Sequence, residues 1–279
     1  TNELLDAIQK KGSADLVADY ALPVPVTIIS ELLGVPERDR SRFHRWSSRL
    51  ISSTTVLQTA LSIPALRSFM AYIRELIELR RASPEDDLLS AMIQAEEAGD
   101  RLSHEELVSM IIAMLVAGHE TTVNLIASGT LALLEHPDQM ERLRQDPGLM
   151  GTAVEELARF TSPAENSTVR IAAEDFTLAG VTVPRGDVVI GVIASANRDE
   201  RHFTNPDALD LGRDPNRHLS FGMGIHYCLG APLARLESAV AIRNVLERLP
   251  RLRLARSVES LPWRTGFLMR GVKELPVTF

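Results

Sequence analysis

Between Ser103 and the His136-Pro137 pair, the sequence offers a helix no place to stop. Ser103 and Glu106 stand at the spacing of a capping box, in which each side chain caps the other residue's backbone N–H. Pro137 closes the run, because the residue before a proline is pushed out of the helical region. From 107 to 117 the pattern is apolar on most sides. A helix of that kind is expected to cross the interior of the molecule.

Other helices surround this one in sequence. "VPERDRSRFHRWSSRLI" and "ALRSFMAYIRELIELRRA" carry apolar residues at three- and four-residue spacing between charges. "SPEDDLLSAMIQAEEAGD" opens with Ser83 as its cap and Pro84 in the first turn, and Gly99 closes it. Two shorter helices are expected around 138–145 and 149–160, and a longer one over 229–249. "FTLAGVTVPRGDVVIGVI" alternates β-branched with small or polar residues around Ala179-Gly180 and Pro184 to Asp187, so it reads as strand, turn, strand. Residues 199–220 are irregular and dotted with prolines, and "WRTGFLMRGVKELPVTF" ends the chain as a further strand pair. No repeat or low-complexity linker divides the sequence. The expectation is a single domain over 1–279, α+β and predominantly helical.

Composition narrows the function. A chain of 279 residues, 45% of them hydrophobic, can bury a sizeable core. Its net charge of −7 argues against a nucleic-acid partner and an anionic membrane surface. The longest apolar run, Leu107 to Gly118, is about 12 residues, where a membrane span needs about 20. "TNELLDAIQKKG" lacks the apolar core of a signal peptide. A single cysteine excludes an internal disulfide and a multi-cysteine zinc site, and it fits a reducing compartment. The expected protein is soluble and cytoplasmic.

That cysteine lies in "FGMGIHYCLG", residues 221–230, which also holds three of the 16 glycines. Cys228 stands where the loop feeds a helix N-terminus, and free amides with the positive end of the helix dipole favour a thiolate there. Glycines let backbone approach the sulfur without a Cβ in the way. A thiolate so held is a nucleophile or a metal ligand. The nucleophile needs a general base and an oxyanion site, and only His226 stands near in sequence.

The loop resembles the cysteine-ligand loop of the cytochrome P450 family, F-G-x-G-x-H-x-C-L-G, at all seven specified positions. The "APLAR" that follows and "ANRDE" at 196–200 resemble the soluble bacterial branch. Ala117-Gly118-His119-Glu120-Thr121-Thr122 is similar to that family's oxygen-binding stretch, where a glycine lets something flat pass close to the helix. Glu156-Leu157-Ala158-Arg159 matches its E-x-x-R, whose two side chains share a helix face. Relatives supply this pair with a third partner from a P-x-R-F pattern. Here the corresponding stretch reads Pro206-Asp207-Ala208-Leu209, which leaves the three-way network without its arginine.

The resemblance implies a P450 fold with a long central helix and small β-sheets. It implies heme b with Cys228 as axial ligand to iron, a thiolate that favours O–O cleavage. Arg170 and His226 are the expected propionate partners. Further cofactor contacts are implied at Ala117, Gly118, Thr121, Ser220 and Phe221. Gly222, Ile225, Gly230 and Ala234 complete that set. Glu120 and Thr121 are the expected proton-delivery pair. Substrate positions are expected at Val116, Ala117, Asn166, Thr168, Phe267 and Leu268.

The implied activity is a monooxygenase that inserts one atom of O2 into a small or medium apolar substrate. Electrons would come from NAD(P)H through a ferredoxin, because the chain has no flavin or NAD motif. A peroxide-driven peroxygenase is the alternative, disfavoured by the acid–alcohol pair; a non-catalytic heme-binding fragment is another. Family chains are considerably longer, so a missing N-terminal portion is also expected.

Overall fold

The computed structural model describes residues 1–51, 56–97, 103–264 and 266–279. Its helices and strands in chain order begin with α1 (Asn2–Gln9), β1 (Ser13–Asp15), α2 (Pro23–Leu32), α3 (Arg40–Ile51), α4 (Val56–Ala82) and α5 (Leu88–Glu97). The long helix is α6 (His104–Glu135), followed by α7 (Pro137–Gln145) and α8 (Met150–Thr161). Next come β2 (Arg170–Ile171), β3 (Phe176–Leu178), β4 (Val181–Val183), β5 (Val188–Val189) and the short α9 (Ile193–Ala196). The last elements are α10 (Ala231–Arg248), β6 (Arg253–Leu254) and β7 (Pro276–Thr278). This is the predominantly helical α+β architecture with small sheets that the sequence implies.

Local signals set most boundaries. The capping box of α6 is complete: Glu106 N donates to Ser103 Oγ at 3.4 Å, and Ser103 N donates to Glu106 Oε2 at 2.8 Å. Asp87, not Ser83, caps α5, since Ser90 N donates to Asp87 Oδ1 at 2.7 Å. Arg80, itself buried, fixes that carboxylate from behind by donating to Oδ2 at 2.7 Å. Gly99, expected to close the helix, lies outside the described residues. Ala179 and Gly180 take φ of +49° and +82° to join β3 to β4, as a tight hairpin turn requires. β5 turns back to pair with β2, Arg170 opposite Val189.

The C-terminal segment forms more than a strand pair. A bridge joins Trp263 to Val272. β7 is the central strand of a three-stranded antiparallel sheet, between β6 and β1, with Ala14 opposite Val277. The sequence reading missed β1, because three residues between helical segments carry no alternation of their own.

Burial along α6 differs from the expectation. Over 107–117 only Leu107, Val108, Ile111 and Leu115 are buried, while Met110 is 42% exposed and Ala113 and Ala117 lie open on the same face. Complete burial begins later and runs unbroken from Thr122 to Leu133. The second half is less apolar but has smaller side chains, which lets neighbours come close. A Cβ on Gly129 would lie 3.4 Å from Leu157 Cδ1 and 3.5 Å from Ile242 Cδ1. The Thr130 hydroxyl is satisfied within the helix by donating to Ile126 O at 2.7 Å.

Three apolar clusters meet along this helix. One joins α1, the segment after β1, α10 and the terminal sheet to Val123, Ile126 and Ala127. A second packs α2 to α5 against Leu107 to Leu115, and a third sets α7, α8 and α10 against Leu125 to Leu133. By length and composition α6 could cross a membrane, but its downstream half is core.

One buried group in α10 sets a pH dependence. Glu237 is 4% exposed, its two carboxyl oxygens have no hydrogen-bond partner, and burial pushes its pKa from 4.5 up to about 7. The folded state therefore binds a proton more tightly than the unfolded chain. Stability is lost as pH rises from 4.5 through 7, by about 3 kcal/mol in full. Glu237→Gln should raise unfolding free energy at pH 8 by about 1–3 kcal/mol and change little near pH 4.5. Denaturant unfolding at the two pH values checks this, and no gain at pH 8 refutes it.

Candidate functional site

The cysteine loop is built from below. Gly222 and Gly224 take φ of +68° and +63°, and a Cβ on Gly222 would press to 3.1 Å from the His226 carbonyl oxygen. Cys228 N donates to Phe221 O at 2.8 Å, Tyr227 N donates to Gly224 O at 3.0 Å, and α10 starts three residues after the cysteine. Phe221 is half-buried against the third apolar cluster, with the Arg235 guanidinium 4.3 Å from its ring centre.

Arg235 ties the loop to α8, donating to Glu155 Oε2 at 3.0 Å and to the Tyr227 hydroxyl at 2.8 Å. His218 Nε2 lies 3.1 Å from the same Glu155 oxygen. Burial alone would push the Glu155 carboxyl up, but hydrogen bonds from His218 and Arg235 hold it at about 2. The Ser220 hydroxyl is also turned inward, donating to Ala158 O at 2.7 Å and accepting from Asn197 Nδ2 at 2.9 Å. It is thus engaged with the protein through two hydrogen bonds.

The upper side of the loop is open. The Cys228 thiol is exposed, Ile225 is 97% exposed and Leu229 is 83% exposed. Gly230 and His226 are exposed as well, and Ala234 is half-buried.

Beneath lies the ion pair of the E-x-x-R motif, and it does have its third partner. Glu156 and Arg159 are both fully buried, with Nε–Oε2 and Nη2–Oε1 distances of 2.8 Å. Arg213 donates from Nε to Glu156 Oε2 at 3.0 Å, and Asn216 Nδ2 and Asp210 N also donate to this carboxylate. The arginine missing from Pro206–Leu209 is supplied seven residues after Pro206. Backbone carbonyls do the rest, since Arg159 donates to Asn197 O, Pro206 O and Ala208 O.

On α6, Ala117 is exposed on the open face, one turn from Thr121, whose hydroxyl donates to Ala117 O at 3.1 Å. Gly118 faces elsewhere. A Cβ there would meet Ile29 Cδ1 at 2.9 Å, so the space at this glycine serves the packing of α2. Val116 packs partly against the second apolar cluster. Glu120 is 1% exposed, with Oε2 3.1 Å from Arg264 Nη1 and Oε1 3.8 Å from His119 Nε2. His44 on α3 completes a close group with His119 and Glu120. Burial lowers the His44 pKa and takes His119 down to about 4, so both rings are neutral near pH 7.

Arg170 and Thr168 are exposed along the segment that enters β2. Asn166 donates from Nδ2 to Phe267 O at 2.7 Å, and Glu165 N donates to Leu268 O at 2.9 Å. The amide expected to meet substrate is therefore holding the turn that presents Phe267, itself 41% exposed. Sequence reasoning missed Arg213, Arg235, Arg264 and His44. Each is one arginine or histidine among many, and its partner is distant in sequence.

The donor set around Cys228 says which group would suit it. Among the described residues, the histidines and carboxylates close enough to share a metal are His44, His119 and Glu120, a group without Cys228. A thiolate that is alone among protein ligands suits a metal whose other ligands belong to a bound macrocycle. The exposed Ile225 and Leu229 beside the sulfur suit an apolar one. The residues fit heme.

The sequence profile of the family described as Cytochrome P450 matches residues 58–147 and 148–269. Polyketide biosynthesis cytochrome P450 PksS of Bacillus subtilis (strain 168) is 48% identical over 276 residues, which are 99% of this chain and 68% of PksS. The crystal structure of myxobacterial cytochrome P450 CYP267B1 in complex with myristic acid superposes with a TM-score of 0.95 at 48% identity, covering 100% of this chain and 69% of that one. P450BioI in complex with hexadec-9Z-enoic acid ligated acyl carrier protein gives 0.93 at 42% identity, over 100% and 72%. A helical fold around a lone cysteine in a glycine-turned loop agrees with these relatives. The chain belongs to the cytochrome P450 family; it is a P450 monooxygenase whose cofactor is heme b.

Removing Arg213 leaves the Glu156 charge buried with one cation fewer. Arg213→Ala should destabilise the fold by about 3–5 kcal/mol. Arg213→Lys should recover only part of that, because its single ammonium cannot also reach the carbonyls of Thr204 and Asn205. Thermal or urea unfolding measures both, and an Ala variant as stable as the parent would contradict the network's role.

Proposed function

We propose that Cys228 would ligate the heme iron, and that Arg170 and His226 would pair with the heme propionates. In this reading Glu120 and Thr121 manage protons, and the substrate lies on the open face of α6. The exposed thiol between Ile225 and Leu229 is the observation that carries the reading. Arg170 and His226 are both exposed, as cationic or donor groups for an anionic cofactor edge would be.

The heme, when bound, supplies the activation of O2 and the transfer of one oxygen atom. The balance is substrate C–H plus O2, two electrons and two protons, giving C–OH and water. The chain's own residues do the rest. Met110, Ala113 and Ala117 form an apolar stripe that excludes water and orients an apolar substrate. Thr121 follows on the same face as its polar member, able to hold a proton at Oγ1 and pass it on. Phe267 closes another side, fixed through its carbonyl by Asn166.

The substrate class is apolar, of small to medium size. The names of the relatives support this: one is a polyketide biosynthesis enzyme, and others are held with myristic acid or a hexadecenoyl carrier protein. Electrons come from NAD(P)H through a ferredoxin and its reductase, in the cytoplasm. The acidic composition and the downstream burial of α6 support a soluble enzyme.

Two measurements test the assignment. Reduced holoenzyme with carbon monoxide should show the red-shifted Soret band of a thiolate trans ligand, and Cys228→Ser should lose it with circular dichroism unchanged; a band that persists in the variant rules Cys228 out. Thr121→Ala should keep substrate affinity, read as the heme spin shift. It should divert reducing equivalents to peroxide and lower product formation by about 10²-fold, the scale of a positioned proton donor. Unchanged product per NAD(P)H would leave Thr121 with a structural part only.

A further inference from the structure

A cavity of about 360 Å³ lies between the end of α7, the start of α8 and the last turns of α10. This volume is within the range of small-molecule sites, about 300–1,000 Å³. The cavity is remote from the cysteine loop. Its first lining residue on α10 is Arg243, and α10 begins at Ala231, so about 18 Å of helix separates the two.

The floor and the rim differ in character. Leu143, Met150 and Leu246 form the floor; all three are buried and belong to the third apolar cluster. Glu141, Arg243 and Glu247 stand exposed around the opening. Between floor and rim lies Arg144, in the last turn of α7 and only partly exposed. Its Nε and Nη2 are buried and meet no acceptor among the described residues. Glu141 stands one turn earlier, at ion-pairing spacing, but its Oε1 accepts from Gln145 Nε2 at 3.0 Å. The Arg144 charge is therefore withdrawn from water without a counter-charge from the protein. That state is costly, and an anion in the cavity would relieve it.

The lining narrows which anion fits. An inorganic ion would have to shed its water against the apolar floor, with nothing gained there. On the rim two carboxylates face one guanidinium, which disfavours a doubly charged group such as a phosphate monoester. A carboxylate has a single charge, and its two oxygens match the planar fork of a guanidinium. An alkyl chain behind it would cover Leu143, Met150 and Leu246.

We propose that this cavity binds a monocarboxylate with an apolar tail, paired with Arg144, at a site separate from the one at Cys228. The inference is independent of which residues hold the heme. Because the floor is part of the cluster against which Phe221 packs, an occupied cavity also reinforces the packing beneath the cysteine loop.

The test uses the heme-loaded enzyme with decanoate as probe. A diazirine-bearing decanoate, photolysed with the parent enzyme, should label residues within 141–150 or 243–250. Excess decanoate should suppress that label by about tenfold or more, and decanol, which has no charge, by less than about twofold. Decyl phosphate should compete less well than decanoate. In equilibrium dialysis Arg144→Gln should bind one equivalent of decanoate fewer than the parent, or bind it at this site about tenfold more weakly. Its circular dichroism and Soret band should be unchanged, since Arg144 Nε and Nη2 make no hydrogen bond to lose.

Absence of label from both segments overturns the proposal. So does decanol competing as well as decanoate, which would make the cavity an apolar hollow only, or decyl phosphate binding more tightly. Parent-like dialysis of a folded Arg144→Gln removes Arg144 from the site and overturns it as well. Should that variant not fold, the labelling and competition on the parent enzyme decide the matter alone.

Discussion

The change of environment halfway along α6 governs the arrangement of the molecule. From Thr122 to Leu133 every side of the helix is covered, and the apolar clusters of α8, α10 and the terminal sheet are built on it. Upstream, one side packs against α2 to α5 and the other is open. Small residues make the first condition possible, because Ala127, Gly129 and Ala132 let other helices approach to contact distance. Thr121 sits at the junction. It is the last residue of the open stripe, with a fully enclosed helix behind it. Any polar chemistry on that face therefore begins from a rigid base, the condition under which a hydroxyl can be held to a catalytic geometry.

Two adjacent acids on α8 hold most of what has no regular structure. Glu155 points to the cysteine loop through Arg235 and His218, and Glu156 points to the irregular 199–220 segment through Arg213 and Asn216. Neighbouring positions on a helix face about 100° apart, so one turn of α8 serves two segments. Burying such charges is costly unless each oxygen is satisfied, and here each is. Glu156 accepts from Arg159, Arg213, Asn216 and Asp210 N, and Glu155 from Arg235 and His218. The loop that carries Cys228 is thus braced from beneath by charge as well as by Phe221. Its upper surface can stay apolar.

What the sequence revealed was whatever is decided within a few residues. The capping box at Ser103 and Glu106, the stop before Pro137, the positive φ at Ala179-Gly180 and the glycine-shaped cysteine loop all belong to that class. What it hid was decided by partners far along the chain. Arg213 lies 57 residues from Glu156, and no motif spacing links a neutralising charge to so distant a carboxylate. β1 pairs with β7 across more than 260 residues, and its three residues show no strand pattern. Asp87 outcompeted Ser83 as a cap because Arg80 was waiting for it. Burial on α6 followed side-chain size more than hydropathy, so the most apolar stretch was not the most enclosed.

In the proposed reading, the open face limits how a proton travels. Met110, Ala113 and Ala117 offer no polar atom from their side chains, and the Thr121 hydroxyl already donates to Ala117 O. In that state its oxygen can accept a hydrogen bond but cannot give one. To donate, it has to turn away from the helix and give up a bond worth about 1 kcal/mol, a small barrier. A hydroxyl that moves its proton outward then needs another from within, since it has no charge to sustain the loss. The nearest acid in sequence is Glu120, buried and held at the Arg264 ion pair, with the neutral His119 and His44 beyond it. In the proposed reading, Thr121 relays a proton and Glu120 supplies it.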